Sequence, residues 1–214
     1  NLIRQFHLTK NPENTRFQEF YNEKSGVRLT VTGVGGTAAA TAVGSICTAY
    51  PPAEDDLLVN IGTCAYIRSA DGQQPSFRDR EGIFLCNQIT EQATGRSFYP
   101  DMLYRHEFQE ASIVTGMRPW NAGADRVVGR DAGCDKSEDG LAGCDRAGTG
   151  DAGCDKNRYG GAKLHHAKTG ALYDMEAAAV YQSGAYFFGP HQMAFLKIVS
   201  DFGTAEGVSH GQVE

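Results

Sequence analysis

Residues 173–180 read Tyr-Asp-Met-Glu-Ala-Ala-Ala-Val, and residues 195–201 read Phe-Leu-Lys-Ile-Val-Ser-Asp. The first stretch sets Asp174 and Glu176 at the mouth of an alanine-rich helix. The second is an apolar strand that stops abruptly on Ser200-Asp201. In an open α/β sheet, ligands bind outside the carboxyl ends of the strands. Carboxylates at such ends can therefore converge on one substrate.

The neighbouring segments extend this pattern. Residues 27–32 (Val-Arg-Leu-Thr-Val-Thr) alternate apolar and polar side chains and are rich in β-branched ones, which predicts a strand. Gly33-Val34-Gly35-Gly36 then turns into a small-residue helix over 38–46, which Pro51-Pro52 stops. Residues 56–62, 82–86, 110–116 and 193–200 read as further strands, residues 96–108 as loop, and residues 175–187 as a helix. Strands alternating with helices predict an α/β domain with a largely parallel sheet covered on both faces.

The paired segments D-M-E-A-A-A-V-Y and K-I-V-S-D resemble the nucleoside phosphorylase and nucleosidase superfamily, which includes purine nucleoside phosphorylases and methylthioadenosine/S-adenosylhomocysteine nucleosidases. The resemblance is loose over residues 2–120 and sharp over 170–214. It implies one α/β domain over 1–214, a three-layer phosphorylase-like fold with a mixed, mostly parallel central sheet. It also implies cleavage of the N-glycosidic bond of a purine-type nucleoside. The family's first strand, with the acid that activates water, and its last helix have no counterpart in this sequence. By resemblance, the chain as it stands is therefore expected to be nearly inactive.

Breaking that bond builds positive charge on the ribose and negative charge on the departing base. The chemistry asks for an acid beside the base and acceptors for the sugar hydroxyls. By resemblance, Asp201 is the group that protonates or hydrogen-bonds the purine, with Ser200 beside it. Glu176 accepts the ribose hydroxyls and Met175 packs on the sugar. Gly62-Thr63 matches the element beside the ribose and the nucleophile, and Trp120 falls where the family stacks a residue on the base. Val34 is a candidate wall near the 5′ side. Plainer readings stand beside these. Aspartate is a favoured N-cap, an acidic first turn suits a helix dipole, Gly62 fits any tight turn, and Trp120 could be an ordinary core or surface side chain. Gly33-Val34-Gly35-Gly36 matches neither the phosphate-binding G-x-x-x-x-G-K-[ST] pattern nor the dinucleotide G-x-G-x-x-G pattern.

Water is preferred over phosphate as nucleophile. Hexameric phosphorylases in the family carry an arginine three residues before their Gly-Ser, and here that position is Asn60. The alternative is a phosphorylase using inorganic phosphate as co-substrate, with Arg96, Arg118 or a neighbouring subunit supplying the cation. A third reading is a catalytically silent nucleoside-binding protein.

The chain of 214 residues carries a net charge of −6, which disfavours a nucleic-acid partner or an anionic membrane. No apolar run suffices to span a bilayer and no signal peptide is visible, so a cytoplasmic protein is expected. Of six cysteines, Cys47, Cys64 and Cys86 sit among apolar residues and read as reduced, buried thiols. No C-x-x-C spacing occurs, so a zinc or thioredoxin-like site has little support; no cofactor is expected, and metal binding is only a minority reading for the aspartates of residues 131–160. By resemblance the partner is a small nucleoside and the assembly a homo-oligomer, dimer or larger. Residues 131–160 form three ten-residue units built on Ala-Gly-Cys-Asp. With almost nothing apolar to bury, they read as a low-complexity insertion. His165 and His166 have no partner spacing and read as exposed.

Overall fold

Small side chains at helical spacing set the packing of the two main helices. In α2 (Gly36–Ala49) the buried residues are Ala39, Ala42, Val43 and Cys47, the i, i+3, i+4, i+8 rhythm of one helical face. That face meets α3 (Ala177–Gly184), which buries Ala177, Ala178, Val180 and Gly184. The approach is close. A methyl group at Gly36 would stand 3.2 Å from the Ala179 Cβ, and the Ser183 hydroxyl donates to the Ala40 carbonyl at 3.0 Å. Small-residue faces let helix backbones draw this near without strain.

The computed structural model describes residues 1–67, 82–120 and 171–202. The decapeptide units at 131–160, Cys134, Cys144, Cys154, His165 and His166 lie outside the described residues. A short helix α1 (Leu2–Gln5) precedes an antiparallel sheet of β1 (Thr9–Lys10), β2 (Gln18–Asn22) and β3 (Val27–Val31). Glu19 on β2 is buried, pairs with Arg28 on β3, and accepts from the Asn14 amide at 2.6 Å. The Arg28 guanidinium lies 3.5 Å from the Tyr50 ring centroid, just past α2, a cation–π contact that ties this sheet to the helix.

The second sheet holds β4 (Leu58–Ile67), β5 (Ile83–Glu91), β6 (Ser97–Phe98), β7 (Gln109–Thr115), β8 (Ala171–Asp174) and β9 (Met193–Asp201). Its order is β6-β5-β7-β8-β4-β9, and β5 also pairs with β9. The pairing β5-β7-β8-β4-β9-β5 therefore closes into a ring. The sheet is mixed, as expected: β4–β9, β5–β7 and β7–β8 are parallel, whereas β4–β8, β5–β6 and β5–β9 are antiparallel. The longest pairings, β4–β9 and β5–β7, are parallel, whereas the antiparallel pairings are short, among them β9 against β5, which closes the ring. Phe195, Ile89, Ile113, Leu172, Met193 and Val180 fill the core between ring and helices.

Several strands outrun their expected ends. Residues 56–62 become Leu58–Ile67, and 82–86 become Ile83–Glu91. The helix expected over 175–187 is shorter, Ala177–Gly184, because Glu176 stands at its N-cap outside helical backbone and residues 185–188 fold back as turns on the Gly184 carbonyl.

Candidate functional site

The junction from β8 to α3 holds the first acidic pair, and its two carboxylates do different work. Asp174, 4% exposed, faces inward. Its Oδ2 accepts the Ala177 N–H at 2.9 Å, and its Oδ1 accepts the Thr115 hydroxyl at 2.7 Å. The Thr115 oxygen in turn accepts the Ala178 N–H at 3.0 Å. The first amides of α3 are thus satisfied by Asp174 and by Thr115 from the end of β7, which takes over the ordinary task of an N-cap. Glu176 occupies the N-cap position but makes no capping bond.

The Glu176 carboxylate turns the other way, toward the glycine turn. Its Oε1 accepts the Gly35 N–H at 2.7 Å and its Oε2 accepts the Met175 N–H at 3.3 Å. Gly35 has φ 95°, a backbone that side-chain-bearing residues rarely adopt, and that conformation aims its N–H at Glu176. The Met175 carbonyl lies 3.6 Å from the place a Gly36 Cβ would take. Gly33–Gly36, Met175 and Glu176 therefore form one locus.

The second acidic element ends β9. The Ser200 hydroxyl lies 3.0 Å from Asp201 Oδ2 and 3.4 Å from the Cys64 carbonyl, which ties this strand end to β4. The register links the two loci. Ala65 is the Cα partner of Asp201 on one side and of Tyr173 on the other. With neighbouring strands about 4.8 Å apart, Tyr173 and Asp201 lie two strand spacings apart across β4. The open-sheet expectation had both acids at like-directed strand ends. Instead β8 and β9 run in opposite directions, and the two acidic strand ends lie on the same stretch of β4 because β8, β4 and β9 are adjacent.

Between the loci lies a residue to which the sequence reading gave no role. Lys197 is 1% exposed, and its ammonium stands 2.7 Å from Asp174 Oδ2. It pairs in register with Gly62, whose Cβ, if present, would stand 3.4 Å from the Lys197 Nζ. The sequence carried a usable sign of this: Lys197 is the only charge in the apolar run 193–199. Alternate residues of such a run face the core, and a buried charge needs a partner. Beside it, burial pushes the Cys64 thiol well up and the Cys86 thiol up to about 12, so both stay protonated and inert.

Trp120 sits edge-on to Tyr173, with ring centroids 5.3 Å apart. The Tyr173 hydroxyl lies 2.9 Å from the Arg118 carbonyl and 3.1 Å from Gln92 Oε1. Trp120 therefore belongs to the apolar cluster of Ile67, Val114 and Tyr173 that walls this end of the ring. Val34 is 80% exposed on the glycine turn, and Thr63 is exposed on β4. Asn60 Oδ1 is buried without a hydrogen-bond partner. Among the described residues no group of three or more His, Cys, Asp or Glu side chains is placed to hold a metal ion, and no helix is long and apolar enough to cross a membrane.

No protein-family model and no curated protein matches this sequence. Solved structures do match. One is a 5′-methylthioadenosine/S-adenosylhomocysteine nucleosidase from Neisseria meningitidis in complex with methylthio-immucillin-A. It is 15% identical with a TM-score of 0.57, and the match covers 95% of this chain and 81% of that one. Another is such a nucleosidase from Colwellia psychrerythraea in complex with adenine, also 15% identical with a TM-score of 0.57, covering 96% of this chain and 79% of that one. A third, from S. pneumoniae with a transition-state inhibitor, is 13% identical with a TM-score of 0.53, covering 93% and 78%. Mixed sheet, helix pair and element order together give this chain the fold of the 5′-methylthioadenosine/S-adenosylhomocysteine nucleosidases.

Proposed function

We propose that this protein cleaves the N-glycosidic bond of a purine nucleoside with water as nucleophile. The observation that carries the reading is the division of labour between Asp174 and Glu176. Asp174 and Thr115 cap α3, which leaves the Glu176 carboxylate on the glycine turn, at the edge where a sugar diol can be held. Each sugar hydroxyl would donate to Glu176, and Met175 would lie against the ribose.

Asp201, with Ser200 at its side, would donate to the purine as negative charge develops on it, the general-acid half of glycosidic cleavage. Trp120 and Tyr173 would wall the base side, Val34 the 5′ side, and Gly62-Thr63 the floor near the nucleophile. The fold neighbours crystallised with adenine and with nucleoside-like inhibitors support a nucleoside as ligand. Water is favoured over phosphate because Asn60 brings no charge and the buried cation Lys197 is already held by Asp174 at 2.7 Å. The same reading takes a homo-oligomer as the working unit, supported by the exposed apolar side chains of Leu103, Met117 and Tyr186. It takes the cytoplasm as its site, supported by the free thiols of Cys47, Cys64 and Cys86.

The test is release of free base from adenosine, inosine and methylthioadenosine, with and without phosphate. Base released without phosphate, slowly, and reduced further by about 10²–10⁴-fold in Asp201→Asn, is the expected result. Release that requires phosphate would replace hydrolysis by phosphorolysis, and binding without release would leave a nucleoside-binding protein.

A further inference from the structure

The Lys197–Asp174 pair lies inside the ring and touches no surface, yet Asp174 accepts the first amide of α3 and also the Thr115 hydroxyl, whose oxygen accepts the second. Lys197 starts on β9 and Asp174 ends β8, with β4 between them. To meet, the lysine side chain must cross β4. It does so at Gly62, the one place on that strand where a missing Cβ leaves 3.4 Å of clearance to the ammonium. At the far end Asp174 accepts from Ala177 N–H and from Thr115. Two residues beyond Asp174, Glu176 begins its turn toward Gly35.

We propose that Lys197, reaching over Gly62 to Asp174, is a positioning residue for the nucleoside site: it holds the first turn of α3 and so the Glu176 carboxylate in the geometry that accepts both ribose hydroxyls. This rests on the proposed nucleosidase reading and assigns it a residue that does not touch substrate. The physical basis is the cost of a charge left alone. With the ammonium removed, Asp174 is a carboxylate buried without its counter-ion. It is then driven to take up a proton or turn toward solvent. Either change weakens its hold on the Ala177 amide and lets the start of α3 shift. A displacement on the order of 1 Å in a positioned group can cost about a hundredfold in function. Gly62 is also where β4 meets this side chain: a Cβ there would stand in van der Waals contact with the ammonium, 3.4 Å away, and a larger side chain would compete for its space.

The readout is diol discrimination, which loss of stability alone does not move. Affinities for adenosine and 2′,3′-dideoxyadenosine are measured by calorimetry on the full chain and on variants shown to be folded by circular dichroism. Wild type is expected to prefer adenosine by about tenfold or more, the worth of hydrogen bonds to a carboxylate. Lys197→Met is expected to bring the ratio close to one, and Lys197→Arg, which keeps a cation opposite Asp174, to preserve it. If Lys197→Met does not fold, Asp174→Asn with Lys197→Met takes its place. That double variant carries no unpaired charge, still offers an acceptor to Ala177, and lacks the tie to β9. A folded variant without the tie that keeps the wild-type ratio overturns the positioning role and leaves the nucleosidase reading standing. Wild type that binds neither nucleoside, or binds both equally, overturns the Glu176 assignment itself and this inference with it.

Discussion

Replacing Thr115 by valine keeps the shape of the side chain and removes one oxygen that does two jobs. Thr115 is 7% exposed, so water cannot substitute for it. Its hydroxyl donates to Asp174 at 2.7 Å, and a hydrogen bond to a charged group contributes about 1.5–3 kcal/mol. Its oxygen also accepts the Ala178 N–H at 3.0 Å. Orphaning that buried amide costs about 1–3 kcal/mol. The extra methyl of valine offsets about 0.8 kcal/mol. The expected net loss is about 2–5 kcal/mol, read from urea unfolding. It corresponds to a fall of the melting temperature by roughly 4–20 °C for a chain of this size. Thr115→Ser, which keeps the hydroxyl and loses one methyl, should cost about 1 kcal/mol. A loss below about 0.5 kcal/mol for Thr115→Val would show that the α3 amides are satisfied by some other group and that the capping arrangement is misread.

Gly184→Ala should destabilise by about 1–3 kcal/mol, because its Cβ would stand 2.7 Å from Leu58 Cδ2 and 3.0 Å from the Met193 sulfur; a thermal melt unchanged from wild type would refute this packing. Burial alone would push Glu19 up, but hydrogen bonds from Asn14, Arg28 and Asn11 and the Arg28 charge outweigh it, so its carboxyl lies below the ordinary 4.5. A lowered folded pKa means that its stabilising effect is full above the ordinary value and is lost as pH falls below that value and through the folded one. Hydrogen exchange across residues 18–31 should therefore quicken in that acid window in wild type and show no such step in Glu19→Gln. Cys64 and Cys86, held protonated by burial, should resist iodoacetamide at neutral pH in the native protein and react once it is unfolded; peptide mass spectrometry that finds them labelled at native rates would contradict their burial.

Strong periodicity made the long elements legible. The strand expected over 27–32 and the small-residue helix expected over 38–46 both emerge, as Val27–Val31 and Gly36–Ala49. What escaped were pairings that depend on distant partners. Gln18–Asn22 is a strand because Val27–Val31 lies across a short turn from it, while its own side chains alternate poorly. Ala171–Asp174 is a strand because β4 and β7 flank it, not because Ala-Leu-Tyr-Asp has any marked preference. The site divides in the same way. The residue types at 174, 176, 200 and 201 announced acid chemistry, but nothing local distinguishes a capping aspartate from a glutamate two residues on that turns to the glycine loop. That distinction comes from Thr115, Lys197 and Gly35, which only the folded chain brings near. A lone charge in an apolar strand was the one legible clue to Lys197.

Closure of the ring by β5 against β9 also bears on how the chain reaches this state. The pairing joins Ile83 to Ile198 and Leu85 to Leu196, partners far apart in sequence, so a large loop-closure entropy must be overcome before the contact stabilises anything. Until β9 arrives, β4 lacks the neighbour that its residues 58–65 bond to, and such a strand offers an unpaired edge to any other chain. Folding should therefore be slow for the chain's length, with a collapsed intermediate that associates as concentration rises. The Lys197–Asp174 ion pair would then form only in the final step of assembly.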